Sequence, residues 1–249
     1  MTTTGLVVPC FNEATRLVPS GLSRLAAQPG LRLFLVDDGS TDGTVDLLQS
    51  IRRDHPASEV IEQGVNRGKS EAVRSGLLRA TAAGCDVVGF CDADLATPVD
   101  EILRLNDIAS ADPSRAAVLA SRVALLGHHV ERSPLRHYLG RIFATGASVV
   151  LHARVYDTQC GAKFFRNSTM LRAALAEPFN SRWAFDVELL GRLLAGTRDE
   201  RPIGVDEFLE VPLKVWSDVG GTKLSPVASL RSGAELLVIA RALRAWRQR

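Results

Sequence analysis

Three short apolar runs, residues 6–8 (LVV), 31–36 (LRLFLV) and 87–90 (VVGF), each end abruptly in polar, turn-forming sequence. Runs of that length with little polar alternation suit strands covered on both faces, as in a parallel sheet. Helical patterns separate them at 14–27, 41–53 and 70–83, the last with Ala72, Val73, Leu77 and Leu78 at helical spacing. Ser40 or Thr41 is placed to cap the second. Strand, helix, strand, helix predicts a doubly wound α/β sheet, in which ligands meet the carboxyl ends of the strands. The polar motifs of this chain fall at those ends.

Further on, the pattern predicts a helix over 99–109, a strand over 117–121 and a basic segment over 122–136 that runs into the apolar stretch 142–151. A turn and strand follow at 157–166, then a helix over 182–194 with Phe185, Leu189, Leu190 and Leu193 on its core face. No repeat, low-complexity tract or linker interrupts the 249 residues. An apolar share of 46% with 23% charge describes a packed globular protein. Thirty Lys and Arg against 28 Asp and Glu leave a formal charge of +2, so no nucleic-acid partner is expected. Cys10, Cys85, Cys91 and Cys160 show no CxxC spacing and suit reduced thiols in a cytosolic compartment. No run approaches the ~18 apolar residues of a spanning helix, so the chain is expected to be cytoplasmic, at most peripheral at the inner face of a membrane.

Asp37 and Asp38 open DDGSTDGT directly after a strand. Such a carboxylate accepts hydrogen bonds from a nucleobase edge or a ribose hydroxyl, and equally well serves a helix N-terminus. In NRGKSEAVRSG, 66–76, Arg67, Lys69 and Arg74 surround Gly68 at a helix start, which suits a phosphate or a solvated basic end. Asp92 and Asp94 stand one residue apart at the end of an apolar strand. Unpaired buried carboxylates are costly, and Mg²⁺ or Mn²⁺ is a fitting partner because these hard ions complete their shells with phosphate oxygens and water.

The order of the motifs carries more than any one of them. PCFNE at 9–13, DDGSTDGT at 37–44, NRGKSEAV at 66–73 and DADLATP at 92–98 together resemble the family 2 glycosyltransferases. DTQCGAKFF at 157–165, RWAFDVELL at 182–190 and VPLKVWSDVGGTKLS at 211–225 extend the likeness to the polyprenyl-phosphate hexosyltransferase branch. Within it the chain is most similar to dolichyl-phosphate β-glucosyltransferases. The resemblance implies a single α/β domain of GT-A fold over 1–249, with a Rossmann-like mixed, mostly parallel central sheet and helices on both faces. Residues 1–121 would form its nucleotide-sugar half, and 122–249 its acceptor half with a C-terminal amphipathic helix.

By the same resemblance Pro9, Phe11, Glu13, Val36 and Asp38 would line the nucleotide pocket. Asp92, with Ala93 beside it, would face the ribose and sugar while Asp94 takes the metal, so both acids border the ion. Lys69, Arg122 and the flap residue Lys223 would neutralise the departing diphosphate. Two departures stand against a mannosyl donor carried on GDP: Ser217 replaces an arginine six residues before Lys223, and Ala96 replaces a glutamine two residues after Asp94. The implied reaction is metal-dependent, inverting transfer of a hexose, by the glucosyltransferase likeness glucose from UDP-glucose, to a polyprenyl phosphate. A phosphate acceptor is already an anion and requires no base; for a soluble or glycan hydroxyl acceptor, Asp186 is the candidate base or a loop-fixing carboxylate.

Residues 122–154 hold five arginines and four of the five histidines, which fits a phosphate head group or a solvated loop, and shows no zinc-like spacing. The C-terminal LRSGAELLVIARALRAWRQR puts Leu230, Leu237, Ile239, Leu243 and Trp246 among arginines. Such a helix lies on an anionic membrane, packs on its own domain, or forms a homodimer contact. Sugar-nucleotide nucleotidyltransferases share a related sheet, but a glycine-rich basic loop follows their first strand where this chain has PCFNE. A silent binding module is the remaining alternative.

Overall fold

The computed structural model describes residues 2–131, 134–217 and 226–248, with side chains at 134–136 and 226–233 left outside the description. Strands β1 (Thr4–Cys10), β2 (Leu31–Asp37), β3 (Glu59–Glu62), β4 (Val87–Phe90), β5 (Ala117–Ser121), β7 (Lys163–Arg166) and β8 (Phe208–Pro212) form one sheet in the order β3-β2-β1-β4-β7-β5-β8. Every pairing is parallel except those of β7, which runs antiparallel between β4 and β5. The sheet is therefore mixed and mostly parallel. β6 (His129–Glu131) and β9 (Val215–Ser217) pair separately.

Alternation along the buried strands explains why their sequences look continuously apolar. Val7, Phe34 and Val36 face one core, while Leu6, Val8, Leu33 and Leu35 face the other. The first core is covered by α3 (Lys69–Ala82), α5 (Pro134–Leu151), α6 (Thr169–Ala176), α7 (Phe185–Ala195) and α8 (Pro226–Trp246). The second lies under α1 (Pro19–Ala26), α2 (Thr44–Asp54) and α4 (Val99–Ala111). Helices thus sit on both faces.

The first two helices start later than periodicity predicts. Pro19 occupies the first turn of α1, and a proline disfavours helical geometry in the residue before it, so 13–18 forms a separate turn. Neither Ser40 nor Thr41 caps α2: Gly43 is the N-cap, and the Ser40 hydroxyl accepts the Asn12 N–H instead. The Asp42 carboxylate takes the Thr44 N–H, which keeps 40–43 out of the helix.

The C-terminal helix turns its stripe inward. Leu236, Ile239, Leu243 and Trp246 are buried in the first core, whereas Leu237 is exposed and the Leu230 side chain lies outside the described residues. Of the three uses open to this helix, packing on its own domain is the one the structure contains.

Candidate active site

β1, β2 and β4 are parallel neighbours, so the turns that follow them open on the same edge of the sheet. Pro9 on β1 stands in register with Val36 on β2, and Cys10 with Asp37. Phe11 is 38% exposed above this edge, and Glu13 is half-buried. The Val36 side chain goes elsewhere: it is fully buried in the core, against α3 at Gly76, so it lines no open pocket.

Asp37 and Asp38 both turn their carboxylates on backbone N–H groups. Asp37 takes those of Gly39 and Ser40, as an acid before a tight turn does. Asp38, 2% exposed, takes Arg67 N–H at 2.7 Å and Gly68 N–H at 2.8 Å. It thereby fastens the NRGK turn to the end of β2. Gly39 is required here, since its φ is +73° and a Cβ would lie 2.6 Å from the Val65 carbonyl carbon. The predicted nucleotide carboxylate is a brace between two site turns.

Beyond that brace α3 begins at Lys69, whose Nζ lies 2.5 Å from Asp92 Oδ1. On the other side Arg16, from the turn before α1, places a guanidinium nitrogen 2.7 Å from Asp94 Oδ2. The Ala96 N–H donates to the second Asp94 oxygen at 3.1 Å. Each acid therefore has a cation of its own, and the cost of unpaired carboxylates alone demands no metal. Burial lowers the Lys69 ammonium, and the carboxylates of Asp92, Asp186 and Asp94 more than restore it, leaving it above the usual lysine range. Ala93 is buried between the two acids.

Room for Asp92 comes from the turn that precedes β7. A Cβ on Gly161 would fall 2.0 Å from Asp92 Oδ2, so only glycine lets the carboxylate sit there. Two residues along, Lys163 is fully buried, with Nζ 2.5 Å from the Cys160 carbonyl oxygen, 3.3 Å from Asp186 Oδ1 and 5.3 Å from the Phe90 ring centre. Burial pushes the Asp186 carboxyl up, Lys163 and Lys69 pull it down, and it stays above the ordinary aspartate value. A carboxylate raised in this way holds a proton more readily than a solvated one, which suits a base.

Arg122, placed by the sequence beside the diphosphate, is held bidentately by Asp157 at 2.6 and 2.8 Å and lies 5.3 Å from the Trp216 ring centre. Its charge still acts on the site, since Asp92 is among the groups that raise its basicity after Asp157. Lys223 lies outside the described residues. Among the described residues no group of three His, Cys, Asp or Glu gathers to hold a metal. The donor set is two neighbouring carboxylates, which fits a hard cation that arrives with diphosphate oxygens and water.

Sequence reading missed Arg16, Gly161, Lys163 and Glu235. The signal for Lys163 was present, a lysine inside the apolar AKFF. Glu235 on α8 accepts from Ser181 Oγ, Trp183 N and Ala184 N at 2.6 to 3.0 Å, which holds the loop entering α7.

A mostly parallel sheet crossed by one antiparallel strand, with paired acids in the turn after β4, defines a glycosyltransferase of GT-A fold. Solved structures share it. Glucosyl-3-phosphoglycerate synthase from Mycobacterium tuberculosis, in complex with Mn²⁺, UDP and glucosyl-3-phosphoglycerate, matches with a TM-score of 0.68 at 20% identity, over 97% of this chain and 80% of that one. The chain belongs to glycosyl transferase family 2, whose family-wide sequence pattern matches residues 6–171. Similar relatives are dolichyl-phosphate beta-glucosyltransferase ALG5C of Trichomonas vaginalis, 31% identical over 95% of this chain and 70% of that protein, and the Drosophila melanogaster dolichyl-phosphate beta-glucosyltransferase, 32% over 94% and 73%. The human dolichyl-phosphate beta-glucosyltransferase is 30% identical over 94% of this chain and 74% of its own.

Proposed function

We propose that this chain transfers glucose from UDP-glucose, with inversion, to the phosphate of a polyprenyl lipid of the dolichyl type at the cytoplasmic face of a membrane. The observation that carries this reading is the pairing of Asp92 with Lys69 and of Asp94 with Arg16 at the mouth of the sheet. Acids and cations alternate there, as a diphosphate bridged to a divalent ion requires. The relatives' shared name supports the lipid acceptor and the glucosyl group. Structural neighbours bound to UDP-glucose and Mn²⁺ support the donor.

Asp94, with Asp92 beside it, would hold Mg²⁺ or Mn²⁺, and that ion would supply charge neutralisation at the leaving diphosphate. Lys69, from the start of α3, would neutralise the same group together with Arg122 and with Lys223, which lies outside the described residues. Pro9, Phe11 and Glu13 border the base and ribose. An acceptor phosphate oxygen forms the new bond to the anomeric carbon as the bond to the β-phosphate oxygen breaks and UDP departs. No proton needs a base. In this division 1–121 serves the donor and 122–249 the acceptor.

A second reading, a soluble hydroxyl acceptor, is favoured by buried Asp186 with its raised carboxyl. There the hydroxyl proton passes to Asp186. The test incubates the protein with Mn²⁺ or Mg²⁺, labelled UDP- and GDP-sugars and short polyprenyl phosphates, then counts label extracted into organic solvent. Label from UDP-glucose alone is the expected result. UDP release without extracted label favours a soluble acceptor or hydrolysis over the lipid acceptor, and no turnover with any pair overturns both readings.

A further inference from the structure

We propose that Arg16 makes binding of a divalent cation at Asp94 conditional on the diphosphate, so that metal and nucleotide enter together. The proposal rests on Asp94 being the metal-binding acid. Arg16 belongs to the turn in which the Arg16 and Leu17 N–H groups both donate to the Glu13 carbonyl, at 2.9 and 2.7 Å. That turn aims the guanidinium at Asp94 Oδ2, 2.7 Å away, with Glu13 Oε1 at 3.4 Å on another nitrogen. The pair is only part-buried, with side chains 32% and 17% exposed. The Arg16 Nε–H is shielded from water and has no hydrogen-bond partner among the described residues.

A guanidinium at this distance opposes a doubly charged ion in two ways. It occupies one oxygen of the carboxylate that the ion needs, and its own charge repels the ion across a few ångströms of partly wet protein. A diphosphate reverses both effects. Its oxygens offer Arg16 another acceptor, and its negative charge attracts both cations together. The outcome is a positive coupling between metal and nucleotide that is strengthened by the Arg16 charge, and by linkage the coupling is the same in both directions. Glu13 favours this exchange, because it keeps a partner beside the arginine as the bond to Asp94 is given up.

The test is Mn²⁺ binding, read by electron paramagnetic resonance of the free ion, with and without UDP. Full-length wild type is compared with Arg16→Gln, Arg16→Lys and Asp94→Asn. Arg16→Gln is expected to bind Mn²⁺ alone about tenfold tighter than wild type and to lose a similar factor of the enhancement by UDP. Arg16→Lys, which keeps the charge, is expected to remain close to wild type and so separates charge from packing. Equal Mn²⁺ affinity in wild type and Arg16→Gln, with UDP-linked binding still dependent on Asp94, overturns the role of Arg16 and leaves the metal reading standing. Wild-type binding that UDP does not tighten overturns the coupling without any variant. UDP-linked binding that survives in Asp94→Asn removes the metal reading, and this proposal with it.

Discussion

Gly161 sets only a hydrogen against the Asp92 carboxylate, where a methyl group would fall 2.0 Å from Oδ2. Its φ is not in the left-handed region, so the whole penalty of a larger residue is steric and falls on the acid. Gly161→Ala is expected to lower kcat/KM about 100-fold through displacement of that carboxylate. The melting temperature should change little, because Asp92 can swing toward solvent; steady-state kinetics beside a thermal melt check both halves. Cys160, on the same turn, carries a pH dependence. Burial pushes its thiol from 9.0 up to about 11, with Asp157 raising and Arg122 lowering it. Below 9.0 the thiol keeps its proton folded or unfolded, while between 9.0 and about 11 mainly the unfolded chain releases it. Stability attributable to this group is therefore complete below that window and falls through it, by ~1.4 kcal/mol per pH unit at most. Urea unfolding at pH 8 to 10 should show a shallower alkaline decline in Cys160→Ala than in wild type.

Among elements, α8 acts on the site through one carboxylate. Glu235 gathers Ser181, Trp183 and Ala184, while Glu188 from α7 takes the Ser181 N–H and the Asn180 amide. The loop 180–184 is thus gripped from two helices just before Asp186. Glu235→Ala removes the acceptor of the Trp183 N–H and of the Ser181 hydroxyl, while the Ala184 N–H keeps Ser181 Oγ at 2.9 Å, at a cost of about 0.5–1.5 kcal/mol for each bond lost. Faster hydrogen exchange at Trp183 and Ala184, with the centre of α3 unchanged, is the expected signature. This grip also shows why α7 begins at Phe185 and not at Arg182: the preceding backbone donors are spent on acids distant in sequence. β1, β2, β4 and α3 were legible because burial on both faces writes itself into composition. β3, with the sequence EVIE, was not, since an edge strand needs no continuous apolar run. α6 carried a readable cap in Ser168, whose hydroxyl accepts the Leu171 N–H. Asp92, Asp94 and Lys69 were legible as chemistry, but their partners were not. Which cation meets which acid depends on a turn 78 residues away for Arg16, and spacing cannot express that.

At the scale of the whole molecule, the proposed lipid acceptor calls for a surface that can meet a membrane. No described helix is long and apolar enough to cross a membrane. The inward stripe of α8 is spent on the core, and α8 packs against α5, with Leu236 under Gly146. Apolar side chains also remain outside on both helices: Tyr138, Ile142 and Val149 on α5 are 68, 71 and 69% exposed, and Leu237 and Val238 on α8 are 64 and 43%. The α5 positions recur at helical spacing on one face, and exposed Arg241 and Arg244 follow on α8, with Arg247 just past its end. Apolar side chains beside cations suit a shallow seat on an anionic surface. Ile142→Asp with Val149→Asp is therefore expected to reduce co-sedimentation with vesicles containing anionic lipid, and added salt should weaken the wild-type interaction. Both positions are exposed, so the melting temperature should hold, which makes this pair a cleaner probe than removal of 236–249, where four core side chains would be lost. Sedimentation unchanged in the double variant would take this face out of membrane contact and leave the lipid acceptor to reach the site by another approach.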